Sequence, residues 1–244
     1  MRIIFVNFFI LLLSFSLSAQ QLLPLRIVGT NLNLLQYKQN NQIRGTSVDI
    51  MNQVLKRSQL EAKIELMPWA RAYYLAKNRP NMIILSMIRT PEREPYFYWL
   101  GIVSKVNKAY ISLQRYPQNF AENDQQAKQK TVVVVRNSAA HKILLKKGFI
   151  EGKNLFLVAS PKKAFNLFVT HKVDLMYTDP AMVKDYINEY QQGVLEISYS
   201  PIDINKQQTS YIAININSTP QLVSRLRQAM KKFAKTPEYK SLLD

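Results

Sequence analysis

Residues 82–93 read MIILSMIRTPER. Positions 82–85 are all apolar, and TVVVV at 131–135 repeats the pattern farther along the chain. A half-exposed strand alternates apolar with polar residues. An unbroken run instead implies a strand covered on both faces, as in a parallel sheet flanked by helices. Residues 82–86 are therefore read as a buried strand, and the segment from Ser86 to Arg93 lies at its carboxyl end.

Outward from this strand, β-rich runs alternate with helical patterns. Strands are expected at 26–29, 63–67, 82–86, 110–113, 131–135, 155–159, 173–177, 194–197 and 211–216. Thr46 or Ser47 can cap a helix whose Val48, Met51, Val54 and Leu55 share one face. Ser160-Pro161 and Thr219-Pro220 each put a capping residue before a first-turn proline. Gly148 stands where a helix should stop. Strand–helix–strand alternation implies parallel sheets with right-handed crossovers. The regularity loosens at 114–130 and again at 200–210, on either side of one βα block. The expected organisation is a second lobe inserted into the first, with lobe one at 20–111 and 210–244 and lobe two at 112–209.

Composition narrows the function classes. MRIIFVNFFILLLSFSLSA (1–19) has an early cation, a short apolar run and small residues, the shape of a secretory signal peptide cleaved after Ala19. No later segment reaches the length of a spanning helix. The chain has no cysteine, so disulfides and thiolate metal sites are ruled out. Net charge is +17, but the cations occur as scattered pairs rather than runs. That pattern describes a solvated basic surface rather than a nucleic-acid track. His141 and His171 follow no metal-ligand spacing, and neither a nucleophile elbow nor a glycine-rich phosphate loop is present. No catalytic residue, cofactor or metal is expected.

In open α/β sheets, ligands sit beyond the carboxyl ends of strands. Arg93 follows residues 82–86 and brings a planar fork suited to a carboxylate. Asp179 follows VDLMYT (173–178) and brings an anion suited to an ammonium. Asn137 and Ser138 follow TVVVV, where amides opening a helix offer donors to an anion. The same residues admit plainer roles: Arg93 bridging Glu92 or Glu94 at the surface, and Asp179 capping the helix opened by Pro180. An open, wet cleft would let Arg93 or Asp179 be replaced at little cost to stability.

With these residues the chain resembles the periplasmic solute-binding proteins of the amino-acid class (bacterial extracellular solute-binding protein family 3). In that family a Ser…Thr-x-x-Arg segment after a strand holds the ligand carboxylate; here it reads Ser86…Thr90-Pro-Glu-Arg93. An aspartate late in lobe two, here Asp179 in DLMYTDP, holds the ligand ammonium. PWARAY (68–73) resembles the lobe-one segment in which Trp69 forms an apolar wall. The first loop, TNLNLLQYKQNNQIRG, lacks the family's aromatic-Pro-aromatic cover, and Tyr37 is its nearest substitute.

The resemblance implies an α/β, two-lobed periplasmic-binding-protein type II fold with two hinge crossings. It implies a monomer that captures a small, amino-acid-like ligand in the periplasm for an inner-membrane ABC permease, with no nucleic-acid partner. A stand-alone sensory protein and a dehydratase-like enzyme are the alternatives on the same fold. Arg93, Asp179, Ser86, Thr90, Trp69, Ser138, Asn137 and Tyr37 are the expected ligand-binding residues.

Overall fold

The computed structural model describes residues 24–190 and 195–243. The expected signal segment and Val194, first residue of one expected strand, lie outside the described residues. Among the described residues no helix is long and apolar enough to cross a membrane.

The elements run β1 (Arg26–Gly29), β2 (Tyr37–Gln39), β3 (Gln42–Arg44), α1 (Thr46–Ser58), β4 (Ile64–Leu66), α2 (Trp69–Asn78), β5 (Met82–Ile88), β6 (Phe97–Val106) and β7 (Ala109–Leu113). They continue as α3 (Asp124–Ala127), β8 (Val132–Val135), α4 (Ala139–Lys146), β9 (Leu155–Val158), α5 (Pro161–Val169), β10 (Leu175–Thr178) and α6 (Pro180–Tyr190). The last are β11 (Ile197–Tyr199), β12 (Gln208–Asn215), α7 (Pro220–Phe233) and α8 (Pro237–Ser241). One sheet has the order β4-β1-β5-β12-β6 and the other β11-β7-β10-β8-β9. In each, four strands run in one direction and one runs against them, β12 in the first sheet and β7 in the second.

The opening run behaves as its composition requires. All seven residues of β5 are buried. Ile83 and Leu85 pack toward α1 and α7 with Met51, Leu226 and Phe233. Met82 and Ile84 face the other way, toward Trp69 and Ala72 of α2. In β8, Val133 packs with Phe165 and Phe168 of α5, while Val132 and Val134 pack with Leu144 of α4. Two covered faces per strand explain why polar residues are missing from both runs.

The chain passes between the sheets twice, at Asn107-Lys108 from β6 to β7 and at 200–207 from β11 to β12. The first passage falls before Ala109 rather than near Ser112, because β7 pairs with β10 and β11 in the second sheet. β6 is a long strand that the sequence pattern does not announce. Its pairing with β12 shifts register twice, and such bulges break the two-residue period by which strands are read.

Gly45, just before α1, has φ +118, and a Cβ there would lie 2.6 Å from the Leu35 carbonyl oxygen. The first two amides of α1 donate to the carbonyls of Leu34 and Leu35, so the loop before β2 hangs on this glycine. Gly45→Ala is expected to lower stability by about 2 kcal/mol, from backbone strain and a backbone clash together. Urea denaturation checks it.

Candidate ligand-binding site

A cavity of about 150 Å³ lies between the two sheets. Lobe one contributes Thr30 after β1, Trp69 opening α2, Ser86 in β5, and Arg93. Lobe two contributes Ser138, Ala139 and Ala140 at the start of α4, and Met176, Tyr177 and Thr178 at the end of β10. These are carboxyl ends of parallel strands, where such sheets place ligands.

Arg93 sits on a 3₁₀ turn, Pro91–Tyr96. Three residues per turn send successive side chains in three directions. Arg93 points inward and is 1% exposed, while Glu92 and Glu94 face out. Neither glutamate pairs with it: Glu94 binds Arg89 at 2.7 Å, and Glu92 binds Lys146 of lobe two. The Lys146 ammonium holds the Glu92 carboxyl down at about 2. The Arg93 guanidinium lies 5.3 Å from the Trp69 ring and 5.1 Å from the Tyr73 ring. Its Nη1 donates to the Ile88 carbonyl at 2.6 Å. Nε and Nη2 are buried without a hydrogen-bond partner. Burial lowers its pKa, opposed by the nearby Tyr73 phenol and by Glu92. A buried fork with two idle donors has the chemistry to hold an anion.

The floor in lobe one is organised by Gln36. Its Oε1 accepts from the hydroxyls of Ser47 at 2.5 Å and Ser86 at 2.6 Å, and its Nε2 donates to the Thr30 carbonyl at 3.0 Å. Ser47 is thus tied to this network rather than capping α1, whose N-cap is Gly45. Ser86 has φ +52, strained for a residue with a Cβ and of the kind that clusters at functional sites. Its hydrogen is engaged, so only lone pairs remain for the cavity.

In lobe two the wiring is opposite. Ser138 caps α4 by accepting from the His141 amide at 3.1 Å, which leaves its hydrogen available. The Asn137 amide donates to His141 Nδ1 at 3.2 Å, so the ring proton sits on Nε2, facing Glu151 Oε1 at 2.9 Å. This fixes the αL bend at Asn137 (φ +59) that opens the helix. The first amides of α4 have no intrahelical partner and carry the positive end of its dipole.

Of the expected residues, Arg93, Ser86, Trp69 and Ser138 line the cavity. The other four do not. Thr90 supplies the carbonyl that starts the 3₁₀ turn, accepting from the Arg93 amide at 2.9 Å. Asn137 turns its carbonyl to Trp69 Nε1 at 2.9 Å. Tyr37 belongs to the β2–β3 hairpin, in a separate hollow facing Asp185 and Glu189, while Leu32 and Leu35 of the same loop reach the cavity. Asp179 accepts from the Asn107 amide at 2.8 Å through Oδ2 and from the Ala181 amide at 2.9 Å through Oδ1. It caps α6 and ties the first passage between the lobes. Lys108, on that passage, lines the cavity, and nothing in the strand-end reasoning pointed to it. The available signal was an isolated lysine between two apolar strands. Burial pushes its ammonium down to about 8, with Asp179 opposing that shift and Arg93 reinforcing it.

Residues 27–244 match the bacterial extracellular solute-binding proteins, family 3. The chain belongs to that family. No curated protein matches it in sequence. Among similar solved structures is a histidine kinase sensor domain with similarity to periplasmic binding proteins (16% identity, TM-score 0.78, 90% of this chain and 93% of that one). Another is the arginine-, lysine-, histidine-binding protein ArtJ from the thermophilic bacterium Geobacillus stearothermophilus (17%, TM-score 0.77, 90% and 93%). A third is holo ArgBP from T. maritima (15%, TM-score 0.74, 89% and 93%). At these identities they show the fold, the two-lobed type II arrangement.

Among the described residues of this family 3 member, three polar side-chain contacts bridge the lobes around the cavity: Trp69 to the Asn137 carbonyl, Asn33 to Glu189 at 2.5 Å, and Lys146 to Glu92. Trp69→Phe keeps the ring beside Arg93 but removes the indole donor. A neutral hydrogen bond contributes about 1 kcal/mol, so affinity for the ligand is expected to fall roughly fivefold. Titration calorimetry on the two proteins checks it.

Proposed function

We propose that this family 3 protein works in the periplasm as a monomer, captures a small carboxylate-bearing, amino-acid-like ligand between its lobes, and hands it unchanged to an inner-membrane ABC permease. The observation that carries this reading is the buried Arg93 fork, with Nε and Nη2 unpartnered, beside the Ser138 hydroxyl and the first amides of α4 across the cleft. All of these donors suit one carboxylate. Closure is a hinge motion at Asn107-Lys108 and 200–207. A thermal-shift screen of the chain from Gln20 against amino acids, small peptides and organic acids tests it. A carboxylate ligand should raise Tm and be recovered chemically intact. Conversion of that ligand in proportion to protein would replace the proposal with an enzyme.

The likeness to a histidine kinase sensor domain favours a second reading, in which the closed form contacts a receptor. Ligand-dependent co-purification with a permease or with a membrane receptor separates the two.

A further inference from the structure

The charged residues lining the cavity are Arg93 and Lys108, both cations. The carboxylate whose charge acts on Lys108 is Asp179, which lies outside the cavity wall with both oxygens on backbone amides. Lys108 also borders a second hollow lined by three acids; there Asp124 is paired with Lys147 at 2.6 Å and Asp203 with Lys206 at 3.1 Å, and Glu122 is exposed. Among the described residues no ion pair within 4 Å involves Lys108. The remaining groups agree in sign. Ser138 offers a hydrogen, and Ala139 and Ala140 line the cavity at the positive end of α4. The acceptors in the wall are hydroxyl oxygens, of Ser86, Thr30, Tyr177, Thr178 and Ser210, which are neutral and cannot offset the charge of an ammonium.

Resting on the reading of this cleft as a carboxylate site, and replacing the amino-acid-like part of that reading, we infer that its ligand is a small dicarboxylate without an ammonium group. One carboxylate meets Arg93 and the start of α4, the other meets the Lys108 ammonium, and the carbon chain lies against Val106 and Met176. A buried guanidinium and a half-buried ammonium without ion-pair partners are unfavourable alone, and a dianion neutralises both at once. A free arginine brings a guanidinium and an ammonium into a cavity with no open carboxylate, so the ligands named for ArtJ and ArgBP do not fit here. The volume, about 150 Å³, falls below the roughly 300–1,000 Å³ of sites for drug-sized molecules and suits a few carbons rather than a peptide.

Calorimetry at neutral pH with succinate, glutarate, adipate, glutamate and arginine tests this. One of the three dicarboxylates should bind about tenfold tighter than glutamate, and arginine should give no heat. Lys108→Met and Lys108→Gln should each weaken that dicarboxylate about thirtyfold or more, yet leave the matching monocarboxylate within about threefold. Melting curves of both variants establish that they fold. Suppose glutamate or arginine binds tightest, with Arg93 required and Lys108 dispensable. The inference is then overturned, while the carboxylate cleft stands. Binding that ignores Arg93→Met, or no heat from any of the five, overturns both.

Discussion

Arg93→Met should lose ligand affinity by about 2–5 kcal/mol, roughly thirtyfold to several thousandfold, because a charge-assisted partner leaves a desolvated site. The same variant should be as stable as the parent or more so. Arg93 is 1% exposed with two nitrogens unpartnered, and an uncompensated buried charge costs the ligand-free protein free energy that a methionine does not. Arg93→Ala separates the terms. Both variants leave the Ile88 carbonyl without its donor, and Arg93→Ala also removes the body packed against Trp69 and Tyr73. Stability should then fall by about 2–3 kcal/mol. This departs from the wet cleft expected from sequence, in which replacing Arg93 would change stability little. Arg93→Lys should not restore binding fully, since an ammonium cannot make the two-pronged contact. Calorimetry with the ligand from the screen, together with urea denaturation of the apo proteins, decides it. Equal affinity in parent and Arg93→Met returns this arginine to a packing role.

Lys108→Met should stabilise the ligand-free protein at pH 7 by about 2 kcal/mol. The ammonium titrates near 8 in the folded chain against 10.5 as its ordinary value. Between those values the unfolded chain holds more protons on this residue, so stability rises with pH across the window. Below about 8 both states are charged and the full penalty applies. Arg93 pushes the same way as burial and Asp179 opposes. The advantage of Lys108→Met should therefore be largest at neutral pH and nearly gone by pH 10–11. Urea curves for both proteins at pH 7 and 10 test it; parallel stability at both pH values sinks the idea. A residue that lowers stability and lines a cavity matches the usual trade between stability and function.

Reading the sequence succeeded where burial acts on every residue of an element. β5 and β8 advertise themselves because both faces are covered, and from them the parallel sheets with helices on both faces follow. The reading failed where geometry depends on one bond or one turn. A buried arginine between two glutamates is indistinguishable in sequence from a surface ion pair until a 3₁₀ turn separates the three side chains. Asp179 carries the right charge at the right strand end, but two amides of its own backbone surroundings claim it. Lys108 was invisible because its position depends on where the chain leaves one sheet for the other. The bulged pairing of β6 moved that point.

The three contacts between the lobes also bear on time. A ligand cannot leave the cavity until Trp69 releases the Asn137 carbonyl, Asn33 releases Glu189 and Lys146 swings from Glu92. The last pair is exposed and contributes little. The first two amount to about 2 kcal/mol of opening free energy, which lengthens residence roughly thirtyfold over an unlatched cleft. Such a latch acts mainly on escape rather than capture, since related complexes differ chiefly in their dissociation rates. For the function proposed here, the hinge rather than the pocket then sets when a bound ligand departs.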